Sequence, residues 1–162
     1  MPEQRQAWLA SNAAMAESFE SSPEITARTY AGGATRVQYR NKDPRGWAEF
    51  AEALLQLDPK GAALVLRGVQ ASRPPLFDLE DRIRTLPMPV LVVVGDEDEP
   101  ALEPALFLKR RIPRAGLWVF PKTGHAVNAE EPAHFNQALL EFFSAVENGR
   151  WNERDPAAVP LR

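Results

Sequence analysis

Five aliphatic residues follow a proline without interruption in Pro89-Val90-Leu91-Val92-Val93-Val94, and no other stretch limits the fold as tightly. A run this apolar and this β-branched predicts a strand covered on both faces, as strands of parallel sheets are. It is far too short to cross a bilayer. A parallel partner has to return through a crossover of at least a dozen residues, and Leu117-Trp118-Val119-Phe120 lies at a suitable distance. Between the two, Glu103-Pro104 predicts the start of a helix whose last turn carries Lys109, Arg110 and Arg111, where cations complement the negative end of the dipole. The unit reads as strand, helix, strand.

A second helix follows it. Pro132 sits behind Glu130 and Glu131 as a first-turn proline, Phe135, Ala138, Leu139, Phe142, Phe143 and Val146 predict its buried stripe, and Asn148-Gly149 predicts its end. The residues before Pro89 read as helical. Trp8, Met15 and Phe19 share one stripe over 3–20, and Asp43-Pro44 predicts an N-cap for a helix with Trp47, Phe50, Ala51, Leu54 and Leu55 facing inward. Further helices are expected over 60–69 and 78–85, on either side of the stiff Arg73-Pro74-Pro75. Fifteen prolines among 162 residues, about twice the usual share, punctuate these pieces. The expected organisation is a helical region over 1–86, an α/β segment over 87–150, and a loose tail over 151–162, which has few apolar anchors.

Composition narrows the partners. With 19 basic and 22 acidic residues the net charge is -3, so there is no electrostatic footprint for nucleic acid or an anionic membrane. A small molecule or a protein fits better. The absence of cysteine excludes a thiolate nucleophile, a disulfide framework and a cysteine-based zinc site. The N-terminus lacks an apolar segment of the kind a secretory leader needs, so the expected location is the cytoplasm.

In open α/β sheets, ligands collect beyond the carboxyl ends of the strands. The residues just past Val94 and Phe120 are Gly95-Asp96-Glu97-Asp98 and Pro121-Lys122-Thr123-Gly124-His125. An imidazole accepts a proton from a hydroxyl nucleophile when its other nitrogen is held, and a carboxylate stabilises the imidazolium that forms. Asp98 and His125 are the candidates for that pair. Taken singly, each has a plainer reading: a solvated acidic turn and an ordinary loop histidine. A Mg²⁺ site on the paired carboxylates is a further reading, but no glycine-rich phosphate loop accompanies it. His134 reads as a surface residue, and Trp47, Phe77 and Trp118 as core.

Together these residues resemble the C-terminal half of the α/β-hydrolase family. Pro89 to Asp98 is similar to that family's strand and acid turn, Pro121 to Asn128 to its histidine loop, and Glu130-Glu131-Pro132 with Phe135-Asn136 to its last helix. The resemblance implies a partial α/β-hydrolase fold: a helical cap region, then a strand-helix-strand-helix unit with a short parallel sheet. It assigns the triad acid to Asp98, through the Gly-x-x-Asp pattern, and the base to His125. It also implies hydrolysis of an ester, a thioester or a related carbonyl substrate, with no cofactor and no metal.

One part of the family pattern is missing. None of Ser11, Ser18, Ser21, Ser22, Ser72 and Ser144 lies in a Gly-x-Ser-x-Gly elbow. The isolated chain is therefore expected to be inactive: a truncated frame, a fragment, or one partner of a split protein whose other half supplies the neighbouring strand. The strand over 90–94 would otherwise keep an open edge and leave much of its apolar surface without a cover, a geometry that invites self-association. The alternative is a non-catalytic binding or interaction module derived from the same fold.

Overall fold

The computed structural model describes residues 2–158, and side chains over 5–158. The chain divides into two compact units, Met1–Pro75 and Leu76–Arg162.

The first unit is helical. It contains α1 (Pro2–Ser21), α2 (Pro23–Ala31), α3 (Val37–Lys42), α4 (Pro44–Leu55) and α5 (Pro59–Val65), and a π-helical turn over Leu66–Gln70 continues α5. The proline starts recur for one reason: a residue in the first turn has no intrahelical partner for its N–H, so proline loses nothing there. Asp43 and Asp58 cap α4 and α5 by accepting from Gly46 N at 2.9 Å and Gly61 N at 2.8 Å. The expected helix over 60–69 widens at its end, where Ala71 N reaches back five residues to Leu66 O. Ala16 and Phe19 are buried on α1, and Ala27, Ala31 and Ala63 bury the facing surfaces. Small residues at these positions let the short helices approach closely.

The second unit is the α/β part. A short 3-10 turn over Leu76–Leu79 leads into α6 (Glu80–Arg84), and then β1 (Val90–Gly95), α7 (Glu99–Arg111), β2 (Ala115–Phe120), α8 (Val127–Glu130) and α9 (Pro132–Glu147) follow. The strands pair in parallel, with Val90 opposite Ala115 and Gly95 opposite Phe120. Among the described residues the sheet has these two strands. Val92 and Val94 pack against Leu102, Ala105 and Leu108 of α7, while Val93, Trp118 and Phe120 pack against Val127, Phe135 and Ala138. Helices thus cover both faces of β1, as its unbroken apolar run requires; the uncovered apolar surface expected of two strands alone is not found, because α7, α8 and α9 lie on it.

Three details differ from the sequence expectations. The crossover helix starts at Glu99, with Pro100 in its first turn, and Pro104 lies inside it. Only the carbonyl of Pro100 loses a helical partner, one turn from the N-terminus, so the helix tolerates Pro104. On α9 the inward line runs through Phe135, Ala138 and Phe142, and Phe143 is 52% exposed. Five residues past Ala138 is about 140° around the helix, which turns Phe143 out of the stripe. Phe77, expected in the core, is 47% exposed and meets Phe107 edge-on at 4.8 Å.

The end of α9 forms a closed C-terminal motif. Gly149 has φ +65°, Gly149 N donates to Val146 O, and Arg150 N donates to Ala145 O, which satisfies carbonyls left over by the last turn. Trp151 then lies edge-on to Phe142 at 4.8 Å. Its Nε1 donates to Arg114 O at 2.9 Å, and Arg114 Nη2 returns a bond to Trp151 O at 2.8 Å. The segment expected to be a loose tail thus has one aromatic anchor at its first residue. Residues 159–162 lie outside the described residues.

Glu80 links α6 to α7. It accepts from Arg84 Nη2 at 2.6 Å, and Arg111 Nε stands 2.8 Å from the same oxygen. The hydrogen bond from Arg84, helped by the charge of Arg111, holds the Glu80 carboxyl below the usual carboxylate range. Because the folded value is the lower one, this contribution is present above the unfolded value and is lost as pH falls through the folded one. Melting temperature should accordingly fall less on acidification in Glu80→Gln than in the wild type, with a small difference because the contact is solvent-exposed.

Candidate active site

The two strands end side by side, so the turns that follow them meet. Gly95, at the end of β1, lies under the loop after β2: a Cβ there would stand 2.1 Å from Thr123 O and 2.3 Å from Gly124 O. Only glycine permits so close a crossing of backbones. Once crossed, the turns are laced together. Asp96 N donates to Phe120 O at 3.0 Å, Glu97 N donates to Thr123 O at 3.0 Å, and Thr123 N donates to Asp96 Oδ1 at 3.2 Å. Thr123 is fully buried and its hydroxyl donates to Pro121 O. Lys122 makes the tight turn at φ +52°.

This lacing separates two carboxylates that lie two positions apart in the sequence. Asp96 is spent on the loop backbone. Asp98 turns inward, and its Oδ2 lies 2.7 Å from His125 Nδ1. The Asp98 side chain is 7% exposed and that of His125 57%. A buried carboxylate thus holds one nitrogen of an imidazole whose ring remains accessible. With Nδ1 engaged, Nε2 is the nitrogen left to exchange a proton, and a carboxylate partner favours the tautomer that keeps the hydrogen on Nδ1.

Asp98 also occupies the N-cap position of α7 but makes no side-chain cap bond. Its carboxylate, which would normally satisfy an orphan N–H of the first turn, is directed to the histidine instead. The cap is given up and the pair is gained.

Sequence reasoning missed Glu130. Only 5% exposed, its carboxylate accepts from Gly124 N at 2.6 Å and from Ala126 N at 3.0 Å, the residues on either side of His125. From sequence it reads simply as a charge at the start of the last helix. Its available signal is an acid four residues beyond the N-cap Ala126 of α8, close to the return bond of a capping box. His134 sits at the surface, 3.2 Å from Glu131. No group of three or more metal-ligating side chains occurs among the described residues. No helix among them is long and apolar enough to cross a membrane.

A parallel strand pair with helices on both faces, and a carboxylate and an imidazole meeting beyond its carboxyl end, define a segment of α/β-hydrolase type. Residues 4–138 match the model of the alpha/beta hydrolase family, and the chain belongs to that family. It is 36% identical over 109 residues to the "Putative carbamate hydrolase RutD" of Agrobacterium fabrum, covering 61% of this chain and 40% of that protein. It is 28% identical over 86 residues to the "Putative 2-succinyl-6-hydroxy-2,4-cyclohexadiene-1-carboxylate synthase" of Bacillus subtilis, covering 53% and 31%. Among solved structures, MenH from S. aureus aligns with a TM-score of 0.83 at 18% identity, over 91% of this chain and 55% of that one. Est816, described as an N-acyl homoserine lactone degrading enzyme, aligns with a TM-score of 0.59 at 24% identity, over 79% and 50%. These two likenesses are of fold. The chain spans less than half the length of the two curated relatives and about half that of the two solved structures.

Proposed function

We propose that this chain supplies the acid and the base of a serine-hydrolase triad, with Asp98 orienting and His125 transferring the proton, for hydrolysis of an ester, a thioester or a related carbonyl substrate. The observation that carries the reading is the 2.7 Å contact between Asp98 Oδ2 and His125 Nδ1, made by a buried carboxylate and an accessible ring. The serine comes from polypeptide outside these 162 residues, whose own serines lie in no elbow. A strand of that polypeptide pairs with the open edge of β1 and brings the serine into reach of Nε2.

In the first half-reaction the serine oxygen bonds to the substrate carbonyl carbon and its proton passes to His125 Nε2. The carbonyl electrons move onto oxygen. As they return, the bond to the leaving group breaks and the leaving group takes the proton from Nε2. Water repeats the sequence on the acyl-enzyme and frees the acid. Asp98 stays ionised throughout and stabilises the imidazolium. No step requires a cofactor. Carbamates and lactones, named for two of the similar proteins, have the same kind of carbonyl.

Hydrolysis of a chromogenic short-chain ester tests the reading. The chain alone should show no turnover above buffer, and turnover should appear when a segment carrying the Gly-x-Ser-x-Gly elbow and its strands is added or fused. His125→Ala should abolish it. Turnover that survives His125→Ala would remove the proposed base.

A further inference from the structure

We infer that Glu130 is a positioning residue for His125: its buried carboxylate fixes the backbone on both sides of the histidine and so aims the imidazole at Asp98. The inference rests on the acid-base reading of that pair. His125 is held at a distance from the strand by a short loop, and loops of this kind sample several directions unless something fixes them. Glu130 provides that restraint through two bonds of different reach. Its Oε2 takes the N–H of Gly124 and its Oε1 the N–H of Ala126, so the peptide plane entering Gly124 and the one leaving His125 are both pinned to one rigid group. The dihedral angles of His125 are then set between two fixed points.

The carboxylate is suited to this in three respects. It has acceptors on both oxygens and no hydrogen to misplace, so it satisfies two donors at once. Its bonds are charge-assisted, and the one to Gly124 is short at 2.6 Å. It is itself held, because Glu130 N donates to Ala126 O at 2.8 Å within α8, and Val127 of the same helix is buried against Phe120 and Ala138. The histidine is thus referenced to the core of the unit through Glu130, while Asp98 is referenced to it through α7. Their 2.7 Å contact depends on both.

Glutamine is the informative replacement. It keeps the volume but presents one acceptor and one donor, so one of the two N–H groups faces an N–H₂. The test reads the tautomer of His125 in the 162-residue chain by long-range proton–nitrogen NMR, at a pH where the imidazole is neutral, in wild type, Glu130→Gln, Glu130→Ala and the neighbour control Glu131→Gln. The expected result is one Nδ1–H tautomer in wild type and in Glu131→Gln. Glu130→Gln should lose that single tautomer to a mixture, and Glu130→Ala should lose it further, while the buried Ala138 methyl resonance is retained. If Glu130→Ala does not fold, Glu130→Gln decides. A lowered melting temperature with the wild-type tautomer intact in both variants would mean that Glu130 only stabilises the loop, and would overturn the inference alone. A wild-type chain without the Nδ1–H tautomer would instead overturn the Asp98–His125 pair beneath it.

Discussion

Replacing Asp98 by asparagine should lower kcat of the proposed assembly with an elbow-bearing segment by about 10⁴-fold and leave KM within a few-fold. The substitution keeps the size of the side chain, so packing at the start of α7 changes little. What changes is the hydrogen on the imidazole. The asparagine would have to turn its amide oxygen to Nδ1 to preserve the tautomer, and even then it offers no charge to stabilise the imidazolium. The buried setting of Asp98 makes that loss large, because water cannot replace the missing carboxylate. The measurement is steady-state kinetics on matched preparations. A fall of less than about tenfold, far short of a lost triad acid, would show that the 2.7 Å contact is structural.

Gly95→Ala should be the most damaging small substitution in the second unit. The added methyl would lie 2.1 Å from Thr123 O and 2.3 Å from Gly124 O, and both obstacles are backbone. No rotamer change relieves the clash. The histidine loop must retreat by about 1 Å to restore ordinary contact distances, and with it go the bonds from Glu97 N and Thr123 N that lace the two turns. A cost of roughly 1–3 kcal/mol in urea unfolding of the chain is expected from the overpacking. In the proposed assembly with an elbow-bearing segment, a misplacement of about 1 Å at His125 should cost on the order of 100-fold in kcat. A stability loss within about 0.5 kcal/mol, the range of an ordinary surface change, would show that the loop has room the structure does not give it.

Much of this arrangement was legible in the residues. The run from Val90 to Val94 announces a strand with both faces covered, and both faces are covered, by α7 on one side and by α8 and α9 on the other. The cap at Asp43 and the stop at Gly149 were readable because each depends on local chemistry: a carboxylate meeting a first-turn N–H, and a backbone angle that glycine adopts freely. The parallel pairing of β1 and β2 followed from the length between them.

What was not legible depends on contacts distant in sequence or on competing local signals. Glu99-Pro100 and Glu103-Pro104 are near-equivalent starts for α7, and the sequence does not show that Asp98 takes the N-cap position while sending its carboxylate elsewhere. Glu130 shows the same difficulty. An acid before a proline-led helix has a sufficient explanation in the helix dipole, and nothing local reveals that its side chain turns back toward the histidine loop. Gly95 reads as a turn glycine, and its role as a crossing point becomes visible only with the second strand beside it. Ser22-Pro23 carried an unused start signal for α2.

The proposed division of labour, with acid and base in these residues and the nucleophile on another segment, can be put to the test by covalent trapping. The chain is treated with a fluorophosphonate ester that reacts with activated serines, alone and together with a segment bearing the Gly-x-Ser-x-Gly elbow, and the modified residue is located by mass spectrometry. No label is expected on the chain alone, a label on the added elbow serine in the mixture, and loss of that label in His125→Ala. A label on any of Ser11, Ser18, Ser21, Ser22, Ser72 or Ser144 in the chain alone would contradict the proposed division.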